Sequence, residues 1–365
     1  MAGLLQQLAH AESPSLAPQA QAGALAILTG ELEALGLAVE RVSGGDHGDH
    51  LQAEAANGRD GAARQLLLGH LDTVWPVGTL ERMPVKLERG RLSGPGVYDM
   101  KGGLVQMLFA LRALAEMGLE PSVRPVVFIN SDEEIGSPSS AAHIARIAGT
   151  VVRAYVLEPS FGPAGKLKTA RKGVARFRLR IKGEASHAGL SPEKGVSAIL
   201  EASHQIQRLF ELNDPDRGVT VNVGTIDGGL RPNVVAPEVV ADVDARAPRE
   251  EDARRLEEAI RALAPTQPGI TIEVEGGFGR PPLEPTERNQ ALWEAARKAA
   301  DHLGIPLEQA AVGGASDGNI TSAQTATLDG LGPVGEGAHA EHEYVSLSQM
   351  PERAALLALL LMVPA

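Results

Sequence analysis

Residues 126–136, VVFINSDEEIG, constrain the fold of this chain more than any other stretch: an apolar run of strand length stops abruptly at three consecutive acids. Val126, Val127, Phe128 and Ile129 suit burial between two layers, and Asn130 and Ser131 break the run. Asp132, Glu133 and Glu134 therefore fall at the carboxyl end of a strand. That end is where open α/β sheets keep their sites. Adjacent like charges there destabilise a fold unless a cation neutralises them, and a metal ion is the strongest such cation. Taken alone, the stretch reads more simply as a solvated acidic loop before a helix, whose first turn favours acids.

The ending recurs. Residues 65–71 (QLLLGHL) form a short buried run closing on His70, with Asp72 two positions on. Side chains alternate along a strand, so the pair can share a side, and Asp72 can then orient His70. By itself His70 reads equally well as a satisfied core histidine. Residues 151–157 close on Glu158, and between these runs the glycine-rich 94–103 (GPGVYDMKGG) leads into a helical pattern over 104–115. A phosphate cradle fails on spacing, since there is no GxxxxGK[ST] and no GxGxxG after a strand, and Asp99 would repel an anion. The loop reads as a device that aims Asp99. Repetition at successive strand ends shifts the balance from solvated acids to a site. Residues 44–50 (GGDHGDH) hold two histidines and two aspartates but lie between two short strand-like runs, and read as a polar loop or hairpin.

Cysteine is absent, which removes disulfides, thiol nucleophiles and thiolate metal sites together, so any metal must be held by imidazole and carboxylate. The net charge of −12 argues against a nucleic-acid partner, because phosphate binding needs a basic field. Residues 1–10 lack a basic n-region and an apolar h-region, and the most apolar stretch, 354–363, is too short to span a bilayer. A cytoplasmic enzyme without membrane contact is the expectation.

A chain of 365 residues is long for one core, and its rhythm changes twice. Residues 22–35 carry Leu25, Ile27, Leu28, Leu32 and Leu35 at helical spacing, with Gly36 as a stop. From 173 onward, VARFRLRIK alternates as a half-exposed strand. A helix over 191–212, strands over 219–226 and 239–246, a helix over 249–263 and a strand over 270–275 follow. That order is the split βαβ, ferredoxin-like α+β pattern. After it come a helix over 289–303, the glycine-rich 312–318 and a Leu/Ala-rich terminal helix, back in α/β rhythm. The expected division is an α/β domain from 1–172 and 280–365, with mixed sheet and flanking helices, and 173–279 inserted into it.

The motifs GHLDTV, GPGVYDMKGG, SDEEIGS, LEPS, ASHAG, RPNVVAPE, GGASDG and HAEHEYV, in this order, resemble the M20 metallopeptidase family and most closely its carboxypeptidase G2 (glutamate carboxypeptidase) branch. The resemblance runs from about residue 60 to the end. It implies a zinc-peptidase-like catalytic domain and a lid or dimerisation role for the insert. It also implies two zinc ions per chain, for which manganese or cobalt can substitute. Carried over by matching motif, His70, Asp99 and Glu158 would hold one zinc, and Asp99, Glu134 and His339 the other, with Asp99 and a water as bridges. His339 is chosen over His342 because the family pattern has a glutamate four residues after the histidine, here Glu343.

The resemblance further assigns Glu133 as general base, Asp72 as partner of His70, and His187 as an imidazole that reaches the partner's site in a homodimer. Without it, His187 would read as a lone surface histidine. Asn233 and Arg246 match a substrate-binding pair, Arg246 offering a fork for a terminal carboxylate. The family usually reads DVR where this chain has Asp244-Ala245-Arg246, so Arg246 depends on a choice of register. Lys166 matches a lysine near the glutamate pocket, with Lys168 and Arg171 as cationic alternatives. The implied activity is hydrolysis of the amide bond before a C-terminal amino acid, with glutamate the expected residue, in a small peptide or N-acyl amino acid. Another M20 amide hydrolase, an N-acyl amino acid deacylase or dipeptidase, is the nearest alternative. A non-catalytic homologue that binds metal or ligand is the alternative of another class, and loss of Glu133 or of a ligand would have been its mark.

Overall fold

Three apolar runs that end in site residues lie side by side in a computed structural model of the chain, which describes residues 1–56 and 61–365. Their strands, Arg124–Asn130, Arg64–His70 and Arg153–Val156, are parallel neighbours at the centre of a six-stranded sheet. Ala326–Leu328 extends it in parallel, and Asp49–Ala55 and Leu37–Ser43 add antiparallel strands at the other edge. The sheet is thus mixed. His70 lies in register with Asn130, so the segments carrying His70, Glu133, Glu134 and Glu158 leave the sheet on one side.

Period-two alternation explains why these strands are apolar throughout. Leu67, Val127, Ile129 and Tyr155 face one core with the helices Gly102–Glu116, Glu287–Leu303 and Met350–Leu361. Leu66, Leu68, Val126, Phe128, Ala154 and Val156 face a second core with the helices Ala141–Ala148 and Asp317–Gln324. A sheet covered on both faces has no polar side to show. The helix Ala22–Ala34 buries Leu25, Leu28 and Leu32 and stops before Gly36, whose φ is +77°. The 44–50 stretch joins the antiparallel strands Leu37–Ser43 and Asp49–Ala55 as a hairpin connection.

By contact density the chain forms two units: residues 1–170, 284–312 and 316–365 make one, and 171–283 with 313–315 the other. In the second, four antiparallel strands stand in the order Thr220–Gly228, Glu238–Ala247, Gly173–Lys182, Thr271–Arg280. One face packs Ala175, Phe177, Leu179, Val221, Val243 and Ala245 against Leu209 of the helix Ala198–Glu211 and against Leu256 and Ile260 of the helix Glu250–Arg261. The opposite face is a charge ladder in which Arg178 meets Asp242, Arg180 meets Glu238 and Lys182 meets Glu273. The helix expected from residue 191 begins at Ala198. Pro192 opens a separate short turn, Gly195 is extended, and the Ser197 hydroxyl accepts the Leu200 N–H as an N-cap.

A candidate metal centre

A second, small sheet brings the glycine loop and the histidine-rich loop together. Tyr344–Ser346 pairs with Gly335–Glu336 on one side and with Arg91–Ser93 on the other, so the turns after residues 93 and 336 are neighbours. Gly96 has φ +71°, and a Cβ there would stand 2.5 Å from Thr73 Cγ2. A Cβ on Gly103 would stand 2.0 Å from the Leu157 carbonyl, so the glycines of GPGVYDMKGG let the loop lie against the Thr73 segment and its helix against the Glu158 strand.

Six of the side chains singled out in sequence converge here. His70 Nε2 lies 3.3 Å from Asp99 Oδ1 and 3.6 Å from Glu158 Oε1. His339 Nε2 lies 3.0 Å from Glu134 Oε2 and 3.6 Å from Asp99 Oδ2. Asp99 thus offers one oxygen to each histidine. Ligand atoms about 2.0–2.1 Å from a tetrahedral ion are about 3.3 Å apart, which is the scale of all four separations. Among the described residues, His70 Nε2 and Asp99 Oδ1 are buried with no hydrogen-bond partner. Such atoms are costly unless an ion takes them up. The donors are imidazole and carboxylate, so the set fits a pair of divalent ions of the zinc, manganese or cobalt type. Donor atoms of His70, Asp99 and Glu134 cluster within 4.8 Å, and so do those of His70, Glu133 and Glu158. Proximity alone therefore keeps Glu133 inside the donor cluster.

The electrostatics follow from packing acids in a dry site. Burial, with Asp99 adding to it, pushes Glu134 up to about 7, and the bond to Glu134 raises His339 to about 9. Burial drives His70 down, but its contacts to Asp72, Asp99 and Glu158 outweigh that and leave it well above the usual imidazole range. A divalent cation reverses these shifts by supplying the charge the carboxylates face.

Behind the donors stands a layer that sequence reasoning largely missed. Asp72 holds the His70 ring, with Nδ1 at 3.3 Å from its Oδ1 and 3.0 Å from its carbonyl. The same carboxylate accepts the backbone N–H groups of Glu133 (3.2 Å) and Glu134 (3.1 Å) and the hydroxyl of Ser15 (2.6 Å). Asp132 accepts the N–H and hydroxyl of both Ser139 and Ser140. Asn130 ties that region to Asp317 at 2.7 Å. Glu343 holds the Asp99 loop. Nothing local in the sequence announces Ser15, whereas the His339-to-Glu343 spacing did mark Glu343.

The other residues expected from the sequence have contacts of their own. Lys166 pairs with the exposed Glu308 at 2.6 Å, while Lys168 Nζ approaches Glu158 Oε2 at 3.9 Å. His187, Asn233 and Arg246 belong to the second unit. His187 Nδ1 accepts the N–H groups of Gly189 (3.1 Å) and Leu190 (3.2 Å), which leaves Nε2 to carry the ring proton of the neutral form. Ala188 N donates to Asn233 O at 3.0 Å, placing these two expected residues on adjoining segments. Arg246 donates Nε–H and Nη2–H to Asp244 (2.9 and 3.3 Å) and Nη1–H to Gly313 O (3.1 Å). Three of its five N–H donors are thereby used.

Comparison with known proteins agrees with the geometry. The model of peptidase family M20/M25/M40 matches residues 66–363. Carboxypeptidase G2 of Pseudomonas sp. (strain RS-16) is 31% identical over 98% of this chain and 88% of its own. Succinyl-diaminopimelate desuccinylase of Paracidovorax citrulli is 27% identical over 92% of this chain and 91% of its own. A dinuclear metal binding peptidase of the M20 family from Bacillus subtilis superposes with a TM-score of 0.68 at 15% identity, over 99% of this chain and 97% of that one. With its mixed sheet, its ordered motifs and this donor cluster, the chain belongs to peptidase family M20/M25/M40.

Proposed function

We propose that the protein is a di-zinc exopeptidase that hydrolyses the amide bond before a C-terminal amino acid, glutamate being the preferred residue, in peptides or N-acyl amino acids. The observation that carries it is the convergence of His70, Asp99, Glu134, Glu158 and His339 on one point with Glu133 beside them. Similarity to carboxypeptidase G2 supports the C-terminal specificity. In this reading His70, Asp99 and Glu158 would hold one ion, and Asp99, Glu134 and His339 the other.

The bound ions would supply Lewis acidity, bringing the pKa of a water toward about 7 and polarising the scissile carbonyl. Glu133 takes the proton from the attacking water and passes it to the departing amine. Asp72 pins the Glu133 backbone and orients the His70 ring, so neither reorganises during the reaction. Arg246 would pair with the substrate's α-carboxylate through its two remaining N–H groups, and Asn233 would add a polar contact. His187 would present Nε2–H to the developing oxyanion across a homodimer formed by the inserted unit. Lys166, already paired with Glu308, would face the side chain of a departing glutamate.

Hydrolysis of N-acyl amino acids and dipeptides, assayed with zinc, manganese and cobalt and scored by the residue released, tests this reading. Release of C-terminal glutamate ahead of alanine and leucine is the expected result. Cleavage of succinyl-diamino acids in preference would favour the deacylase reading, which the similarity to the desuccinylase supports. Metal uptake with no turnover of any substrate would sink both.

A further inference from the structure

Glu343 has its whole carboxylate committed to donors on the loops around the centre. Oε1 accepts the N–H groups of Tyr98 (2.9 Å) and Asp99 (3.0 Å), and Oε2 accepts that of Gly96 (3.0 Å) and the indole N–H of Trp75 (3.1 Å). The residue is fully buried. Its backbone closes a second set of contacts: Glu343 N donates to Ala340 O (3.0 Å), Ala340 N to Gly337 O (2.9 Å), and Gly94 N to Glu343 O (3.3 Å). His339 sits inside the first of those two turns along the chain at φ +61°, with its side chain 53% exposed. Beyond its contacts to Asp99 and Glu134, the turns anchored by Glu343 are what set its direction.

A carboxylate beside Asp99 suffers like-charge repulsion and loses its hydration on burial, so an acid is a costly choice here. The return is four N–H groups satisfied at once, three of them on the segment that aims Asp99. One side chain therefore grips the Asp99 loop while its own backbone ends the His339 loop.

We propose that Glu343 is a positioning residue that assembles the Asp99, Glu134 and His339 half of the donor set, fixing Asp99 and His339 in one frame before any ion arrives. This rests on the two-ion reading above. Partners that orient metal ligands typically contribute ~10–100-fold in affinity.

The test is zinc alone, titrated against a chelating competitor into metal-stripped protein, alongside thermal unfolding of the stripped form. Glu343→Gln keeps the shape but turns an NH₂ toward N–H donors, so the step that fills the Asp99, Glu134 and His339 half should weaken by ~10–100-fold and the other, which shares only Asp99, by clearly less. The stripped variant should unfold within a few degrees of wild type. Glu343→Asp, which restores the charge with a shorter reach, should recover part of the weakened step. Two unchanged steps in Glu343→Gln, or equal weakening of both with a collapsed stripped-state Tm, would overturn the proposal. Should the glutamine variant fail to fold, the aspartate variant is judged alone: selective weakening of one step supports the proposal, and equal weakening or none overturns it. A wild-type chain that does not take up two zinc ions overturns the two-ion reading and this proposal together, whereas two tight steps in both wild type and Glu343→Gln overturn only this one.

Discussion

Glu133 and Glu134 are adjacent, share Asp72 as the acceptor of their backbone N–H groups, and are proposed for opposite tasks. Glu134 Oε2 touches His339 at 3.0 Å, so its replacement by Gln should lower metal content. Glu133→Gln should leave two ions per chain and cost ~10²–10⁴-fold in turnover, the usual loss for a general base. Metal analysis beside kcat decides, and the reverse pattern would exchange the roles. Arg246 makes a subtler case, because Asp244 already neutralises it. Amidating the substrate's α-carboxylate then removes a charge-assisted bond without stranding a bare buried cation, a loss of ~1.5–3 kcal/mol or roughly 10–100-fold in kcat/KM. Arg246→Ala should narrow that gap between free and amidated substrates. Equal cleavage of both forms by wild type would take Arg246 out of the site. At this scale the residue types were legible from sequence, since motifs are local, while the Asp244 and Glu308 partners of Arg246 and Lys166 were not.

The ring of His50 helps to tie the hairpin formed by Leu37–Ser43 and Asp49–Ala55 to the acid-bearing loop. His50 is fully buried, with Nδ1 3.0 Å from Ser131 Oγ and Nε2 3.1 Å from Ser139 Oγ. Burial lowers its pKa below the ordinary imidazole value of 6.5, with His143 adding to the effect and Asp132, Asp72 and Asp49 opposing it. The unfolded chain then binds a proton that the folded one does not, over the interval from 6.5 down to the folded pKa. Stability therefore falls as pH drops through that interval and rises as pH increases. The difference in Tm between wild type and His50→Gln, followed from pH 7.5 to 5, should shift against wild type as the solution becomes acidic. A constant difference would mean that His50 does not titrate in that range. Element type was readable wherever periodicity ran long, as in 22–35 and 173–182, and misread where Pro192, Gly195 and the Ser197 cap deferred a helix start to Ala198.

Each unit of the molecule has its own hydrophobic core, one around the two faces of the mixed sheet and one between the four-stranded sheet and its two helices. Ligands that bind only the folded state stabilise by mass action, about 4 kcal/mol at a thousand times Kd, or roughly 10 °C for a unit of this size. Chelation should therefore lower the unfolding transition of the unit holding His70 and His339 and leave that of the 171–283 unit in place. Calorimetry with and without chelator reads this directly, and equal shifts in both transitions would place ion-dependent stability elsewhere. Length, charge, the lack of cysteine and eight ordered motifs determined the family, the α/β class with an inserted α+β pattern, and the residue types of the donor set. These are properties of short segments, and apolar periodicity and strand ends are written locally. The tertiary structure alone decided that Ser15 reaches Asp72 across 57 positions, that Trp75 reaches Glu343 across 268, and that Asp99 presents one oxygen to each histidine. Those contacts arise from strand register and from loops packed against one another, which no local pattern encodes.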